Sequence, residues 1–115
     1  EIMSSEYSDY VVVYTTTETA EHAEALALVL AESFLVACVT VLPGAKSYYY
    51  WQGNLEVSQE CVLMMKTQTK LLPKLIDFIK ANHPYTEPEI IAVPIVDGSD
   101  SYLKWVSTVT SSSEI

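Results

Sequence analysis

Val36-Ala37-Cys38-Val39-Thr40-Val41-Leu42-Pro43-Gly44 and Ser47-Tyr48-Tyr49-Tyr50-Trp51, closed by Gln52-Gly53-Asn54, are the residues on which the fold turns. β-Branched and aromatic residues dominate, as in a strand. Pro43-Gly44 predicts a bend or a bulge. Gln52-Gly53-Asn54 is a hairpin turn signal, so the chain doubles back as a third strand over about residues 56–67. Two strands joined without a helix between them rule out a simple alternation of strand and helix. What flanks this hairpin then sets the topology.

Upstream, Tyr10-Val11-Val12-Val13-Tyr14 predicts a first strand buried on both faces. Thr15-Thr16-Thr17-Glu18 offers hydroxyls and a carboxylate for a helix start. Ala23, Leu26, Ala27, Leu30 and Phe34 recur at helical spacing, predicting a helix over about 19–33. Downstream, Leu72, Leu75, Ile76 and Ile79 make the stripe of a second helix over about 71–82. Pro73 falls in its first turn, where the missing N–H matters least. A fourth strand follows at about 89–95. Ser99 then caps a short final helix carrying Tyr102, Leu103 and Val106. The expected divisions are a disordered arm at 1–8, one domain at 9–108 and a polar tail at 109–115, loosely ordered from about Thr108.

The order strand, helix, strand, strand, helix, strand is the split βαβ arrangement of α+β ferredoxin-like folds. Right-handed crossovers put both helices on one face of an antiparallel sheet. The first three strands are nonetheless apolar at nearly every position. The other face therefore needs a cover, and a second copy of the chain is the expected one. The aromatic run at 48–51 suits such an interface.

The chain has 115 residues, enough for one domain with a modest core, and half of them are hydrophobic. Its net charge is −9, and all six basic residues are lysines. That balance disfavours nucleic acid and anionic membranes and attracts cations. No apolar run is long enough to span a membrane. Cys38 and Cys61 fall on opposite arms of the hairpin, expected opposite residues near 68 and 45. They are then roughly 23 Å apart at strand rise, too far for a disulfide. Two reduced thiols fit a reducing compartment and a cytoplasmic location. A removed leader or an organellar location stays open, since the chain starts at Glu1 and not at Met.

Chemistry concentrates in His83-Pro84-Tyr85-Thr86-Glu87-Pro88-Glu89, between the second helix and the fourth strand. Its prolines stiffen the backbone that carries these side chains. An imidazole beside carboxylates suits copper or zinc, which makes His83, Glu87 and Glu89 candidate ligands. The loop holds one histidine and the chain has no Cys-x-x-Cys, so any site needs a neighbouring subunit, Tyr14 or water to complete it. Alternatively His83 packs on Tyr85 or hydrogen-bonds across an interface. The other histidine, His22, is expected to be an ordinary exposed one. There is no arginine to grip phosphate, no Walker loop, no nucleotide-binding glycine fingerprint and no nucleophilic triad.

His-Pro-Tyr at 83–85, Pro88-Glu89 and the Ile/Val-rich segment after it resemble the CutA family of divalent-cation tolerance proteins. The segments at 37–44, 47–56 and 60–69 and Tyr102-Leu103-Lys104-Trp105-Val106 are similar too, so the likeness spans about 9–108. The resemblance implies a homotrimer of ferredoxin-like subunits with clefts between neighbours. It also implies copper binding and a role in metal tolerance, with no enzymatic activity. It assigns the metal to His83 and Glu89, Cu(II) or another divalent ion, with no cofactor required, and lines the cleft with Trp51, Lys66, Tyr85 and Tyr14. Some relatives carry cysteine where Tyr14 stands, so modest affinity is expected. Such trimers also look like PII-type regulators, which leaves a signalling module with a small ligand in the same cleft, or a trimeric scaffold, as alternatives.

Overall fold

The computed structural model describes residues 8–114. Strand β1 (Tyr10–Thr17) leads into helix α1 (Ala20–Ser33). The long strands β2 (Cys38–Trp51) and β3 (Asn54–Gln68) follow. A 3-10 turn (Thr69–Leu71) opens helix α2 (Leu72–Asn82), which is succeeded by strand β4 (Ile91–Pro94) and helix α3 (Asp100–Thr110). The sheet is antiparallel in the order β2-β3-β1-β4. The ferredoxin-like α+β reading therefore holds, with the extra C-terminal helix and the long hairpin.

Local chemistry explains the boundaries. β1 runs three residues beyond the apolar run, to Thr17, because Thr15 and Thr17 sit on the buried face. The helix start passes to Thr19, whose Oγ1 accepts the His22 N–H at 3.1 Å. α1 stops where Phe34 takes a left-handed φ of 60°. β4 is only four residues long, and the Ile95 N–H just beyond it still donates to the Tyr10 carbonyl at 3.0 Å.

The hairpin register differs from the sequence expectation. The turn has two residues, Gln52 and Gly53, with Trp51 facing Asn54. Both turn residues have positive φ, 51° and 83°, as a tight hairpin demands. Pro43 and Gly44 bulge out between the pairs Leu42–Val62 and Ala45–Glu60. Cys38 consequently faces Lys66, not a residue near 68, and Cys61 lies against Thr17 of β1. Both thiols are free.

One sheet face carries Val11, Val13, Leu63 and Met65 against Ala23, Leu26 and Leu30 of α1 and Leu75 and Ile79 of α2. Each such buried aliphatic side chain contributes on the order of 2 kcal/mol. The opposite face is not wholly bare. α3 covers one end: Gln68 Nε2 donates to Thr110 Oγ1 at 2.8 Å, Tyr10 OH hydrogen-bonds Ser107 Oγ, and Tyr102 OH lies 3.7 Å from Cys38 Sγ. This is why the loosely ordered stretch expected from Thr108 is helical instead: Thr110 is fully buried, and a 3-10 turn (Ser111–Glu114) follows it. Of the expected N-terminal arm, residues 1–7 lie outside the described residues. Ser8 is buried, with its hydroxyl within hydrogen-bonding reach of the Tyr10 and Ile95 carbonyls.

Beyond α3, the same face exposes apolar side chains. Leu42, Ile91 and Val93 are 45%, 51% and 46% exposed. Register puts all three with half-buried Val12, Tyr14, Val62 and Met64.

Candidate functional site

The loop after α2 is fastened by its first residue. His83 leaves the helix with extended backbone, φ −84° and ψ 141°, as the residue before a proline prefers. That turns its ring inward, where it is buried. The Tyr85 N–H donates to His83 Nδ1 at 3.0 Å. Nδ1 must then carry its lone pair, so the proton sits on Nε2, which donates to the Thr16 carbonyl at 2.8 Å. The Tyr85 ring lies against the imidazole, centroids 4.8 Å apart. Burial lowers the His83 pKa below the ordinary 6.5; the Thr16 hydrogen bond opposes that shift and His22 adds to it. His83 is thus a neutral clasp between the loop and the end of β1.

Beside the clasp, the loop, β1 and the part of the hairpin past the bulge line an open cavity of about 410 Å³. Three carboxylate residues line it: Glu60 from β3 and Glu87 and Glu89 from the loop. Tyr48, Tyr49, Trp51 and Tyr85 are its aromatic residues, and Thr16 and Ser47 complete the lining. Past the bulge, Ser47, Tyr49 and Trp51 share one hairpin face with Glu56, Ser58 and Glu60. Ser47 Oγ donates to Glu60 Oε1 at 2.8 Å, which fixes that carboxylate, and Tyr49 OH bonds Ser58 Oγ at 2.8 Å. The Tyr85 phenol has a raised pKa, first from burial, then from Glu60, Glu18 and Tyr49. The three carboxylate residues make the lining acidic.

Of the residues expected at the site, Trp51, Tyr85 and Glu89 meet in this cavity, while His83, Lys66 and Tyr14 do not line it. Lys66 pairs with Val12 and Thr16 with Val62. Lys66 is thus four residues, roughly 13 Å, along β3 from that end. Tyr14 pairs with Met64 and Ile91 on the open sheet face. Glu60, Tyr49 and Ser47 escaped the sequence reading. Their shared face follows only once the two-residue turn and the bulge are known.

Among the described residues, no three of His, Cys, Asp and Glu gather closely enough to hold a metal. The exposed carboxylates of Glu87 and Glu89 keep lone pairs, whereas both nitrogens of His83 are engaged. One chain thus supplies donors for a weak carboxylate site and not for a tight imidazole site.

Fold and cavity together define a small ferredoxin-like α+β protein with an acidic, aromatic cleft and an unpartnered sheet face. The chain belongs to the CutA1 divalent ion tolerance protein family, whose pattern matches residues 11–109. It is 46% identical over 95 residues to the divalent-cation tolerance protein CutA of Thermus thermophilus, covering 83% of this chain and 92% of that one. The chloroplastic protein CutA of Arabidopsis thaliana is 40% identical over 107 residues; the match takes in 93% of this chain and 59% of that longer protein. The crystal structure of CutA from Xylella fastidiosa superposes with a TM-score of 0.86 at 41% identity, over 90% of this chain and 99% of that one.

Proposed function

We propose that the protein serves divalent-cation tolerance as a homotrimer that binds copper or another divalent ion weakly in clefts between its subunits. The observation that carries the assembly is the sheet face on which Leu42, Ile91 and Val93 stand about half exposed. Burying that face against another copy removes apolar area from water and ties folding to association. Glu89 is the ligand with lone pairs to spare, and a neighbouring subunit supplies further donors. His83, the expected nitrogen ligand, joins only by giving up the Tyr85 N–H or the Thr16 carbonyl. A metal requires its imidazole neutral, so any share it takes weakens as pH falls through its pKa, which burial holds below the ordinary 6.5. No cofactor and no reaction belong to this reading. Two free thiols fit the reducing cytoplasm, and no helix among the described residues is long and apolar enough to cross a membrane.

Light scattering with calorimetric titration tests both halves. The expected results are three chain masses, weak copper uptake reduced by Glu89→Gln and unchanged by His22→Ala, and no uptake of ATP. A monomer at micromolar concentration refutes the assembly. Copper uptake by Glu89→Gln equal to the parent refutes the ligand.

A further inference from the structure

A metal ion would use only part of the cavity beside the clasp. Metal–oxygen bonds are about 2 Å long and draw ligands into a compact group. Here the carboxylate residues are spread over a strand and a loop, around about 410 Å³ of space. Space of that size takes a small organic molecule. Four aromatic residues, Tyr48, Tyr49, Trp51 and Tyr85, line it, and no lysine does. Trp51 is 62% exposed in the single chain and holds no place in its core.

Rings and carboxylates in one cavity suit a cation that carries carbon. An ammonium group is drawn to the face of an aromatic ring, and its N–H donors form charge-assisted bonds with carboxylates. Methylenes between ammonium groups lie on ring faces and lose water there. A quaternary ammonium has no N–H and would give no hydrogen bond to Glu60, Glu87 or Glu89. A single primary amine would answer one carboxylate. A linear cation with an ammonium at each end reaches both Glu60 on the strand and the Glu87–Glu89 pair on the loop.

We propose that this cavity binds a linear di- or polyamine, with its ammonium ends on Glu60 and on Glu87 or Glu89 and its methylene chain across Trp51. The proposal rests on the reading of the cavity as the ligand cleft and names an organic ligand for it.

Calorimetric titration of the full chain with spermidine at physiological ionic strength tests it, with copper titrated in parallel. Trp51→Ala removes a ring face but no carboxylate. It is expected to weaken spermidine about fivefold, the upper range of an exposed cation–π contact. Glu60→Gln is expected to weaken spermidine similarly. Glu24→Gln with Glu32→Gln removes two exposed charges of α1 outside the cavity, and spermidine affinity is expected to stay within about twofold of the parent, as distant surface charges are screened. No heat of binding with the parent overturns the proposal. So does a Trp51→Ala protein that binds spermidine as the parent does, or an α1 double variant weakened as much as Glu60→Gln, either of which marks attraction to an acidic surface. Loss of copper uptake alone overturns the metal reading and leaves this one standing.

Discussion

Replacing His83 with alanine measures what the clasp holds together. The imidazole makes two hydrogen bonds, 2.8 Å to the Thr16 carbonyl and 3.0 Å from the Tyr85 N–H, and one ring contact with Tyr85. Each hydrogen bond is worth about 1 kcal/mol net, and the ring contact adds up to about 1 kcal/mol. The variant should therefore lose about 2–3 kcal/mol, a large share of the stability of a small domain. Urea unfolding at matched protein concentration reads this directly, because assembly makes the midpoint concentration-dependent. His83→Gln should lose less, since an amide can still donate to Thr16. His22→Ala is the control: that side chain is exposed and should change stability by less than about 0.5 kcal/mol. A His83→Ala protein as stable as this control refutes the clasp.

Acid should act on the same residue. The folded His83 pKa lies below the unfolded value near 6.5. Stability is then complete above that pH and falls as pH drops below it, because the unfolded chain takes up a proton that the folded one refuses. Unfolding midpoints from pH 8 to pH 5 should show the slope in the parent and a shallower one in His83→Ala; equal slopes would remove His83 as its source. Thr15 is fully buried and its Oγ1 has no hydrogen-bond partner among the described residues. Thr15→Val should thus raise stability by about 1 kcal/mol by deleting an unsatisfied hydroxyl, and a lower midpoint would refute that account. With a net charge of −9 and no arginine, the protein should give no salt-sensitive complex with DNA or RNA in a gel shift.

The fold was legible wherever one period dominated the sequence. Val11-Val12-Val13 marked β1, and the three- and four-residue spacing of Ala23, Leu26 and Leu30 marked α1, because burial alone selects those patterns. Boundaries set by long-range partners were less so. Thr108–Thr110 looks like a polar tail until Gln68 reaches across from β3 to hold Thr110. The site divides in the same way. Tyr85, Glu87 and Glu89 were visible because they crowd into one stiff loop. Glu60 was not, since its place depends on the bulge at Pro43-Gly44. The hydrogen bond that engages His83 Nε2 goes to a carbonyl 67 residues away, and carbonyls leave no mark on a sequence.

The strand order has a consequence for how the chain comes together as it is made. β1 leaves the ribosome first, yet it sits between β3 and β4 and pairs with both. One edge waits for the arrival of residues 61–68, and the other for 91–94. β2 and β3 need only a two-residue turn and form early as a local hairpin. During elongation the Val-rich segment at 11–13 is therefore a sticky, unpaired template, exposed for longer than any other strand of the sheet. Any factor that slows synthesis before residue 91 lengthens that exposure, and aggregation of stalled chains should begin from this first segment.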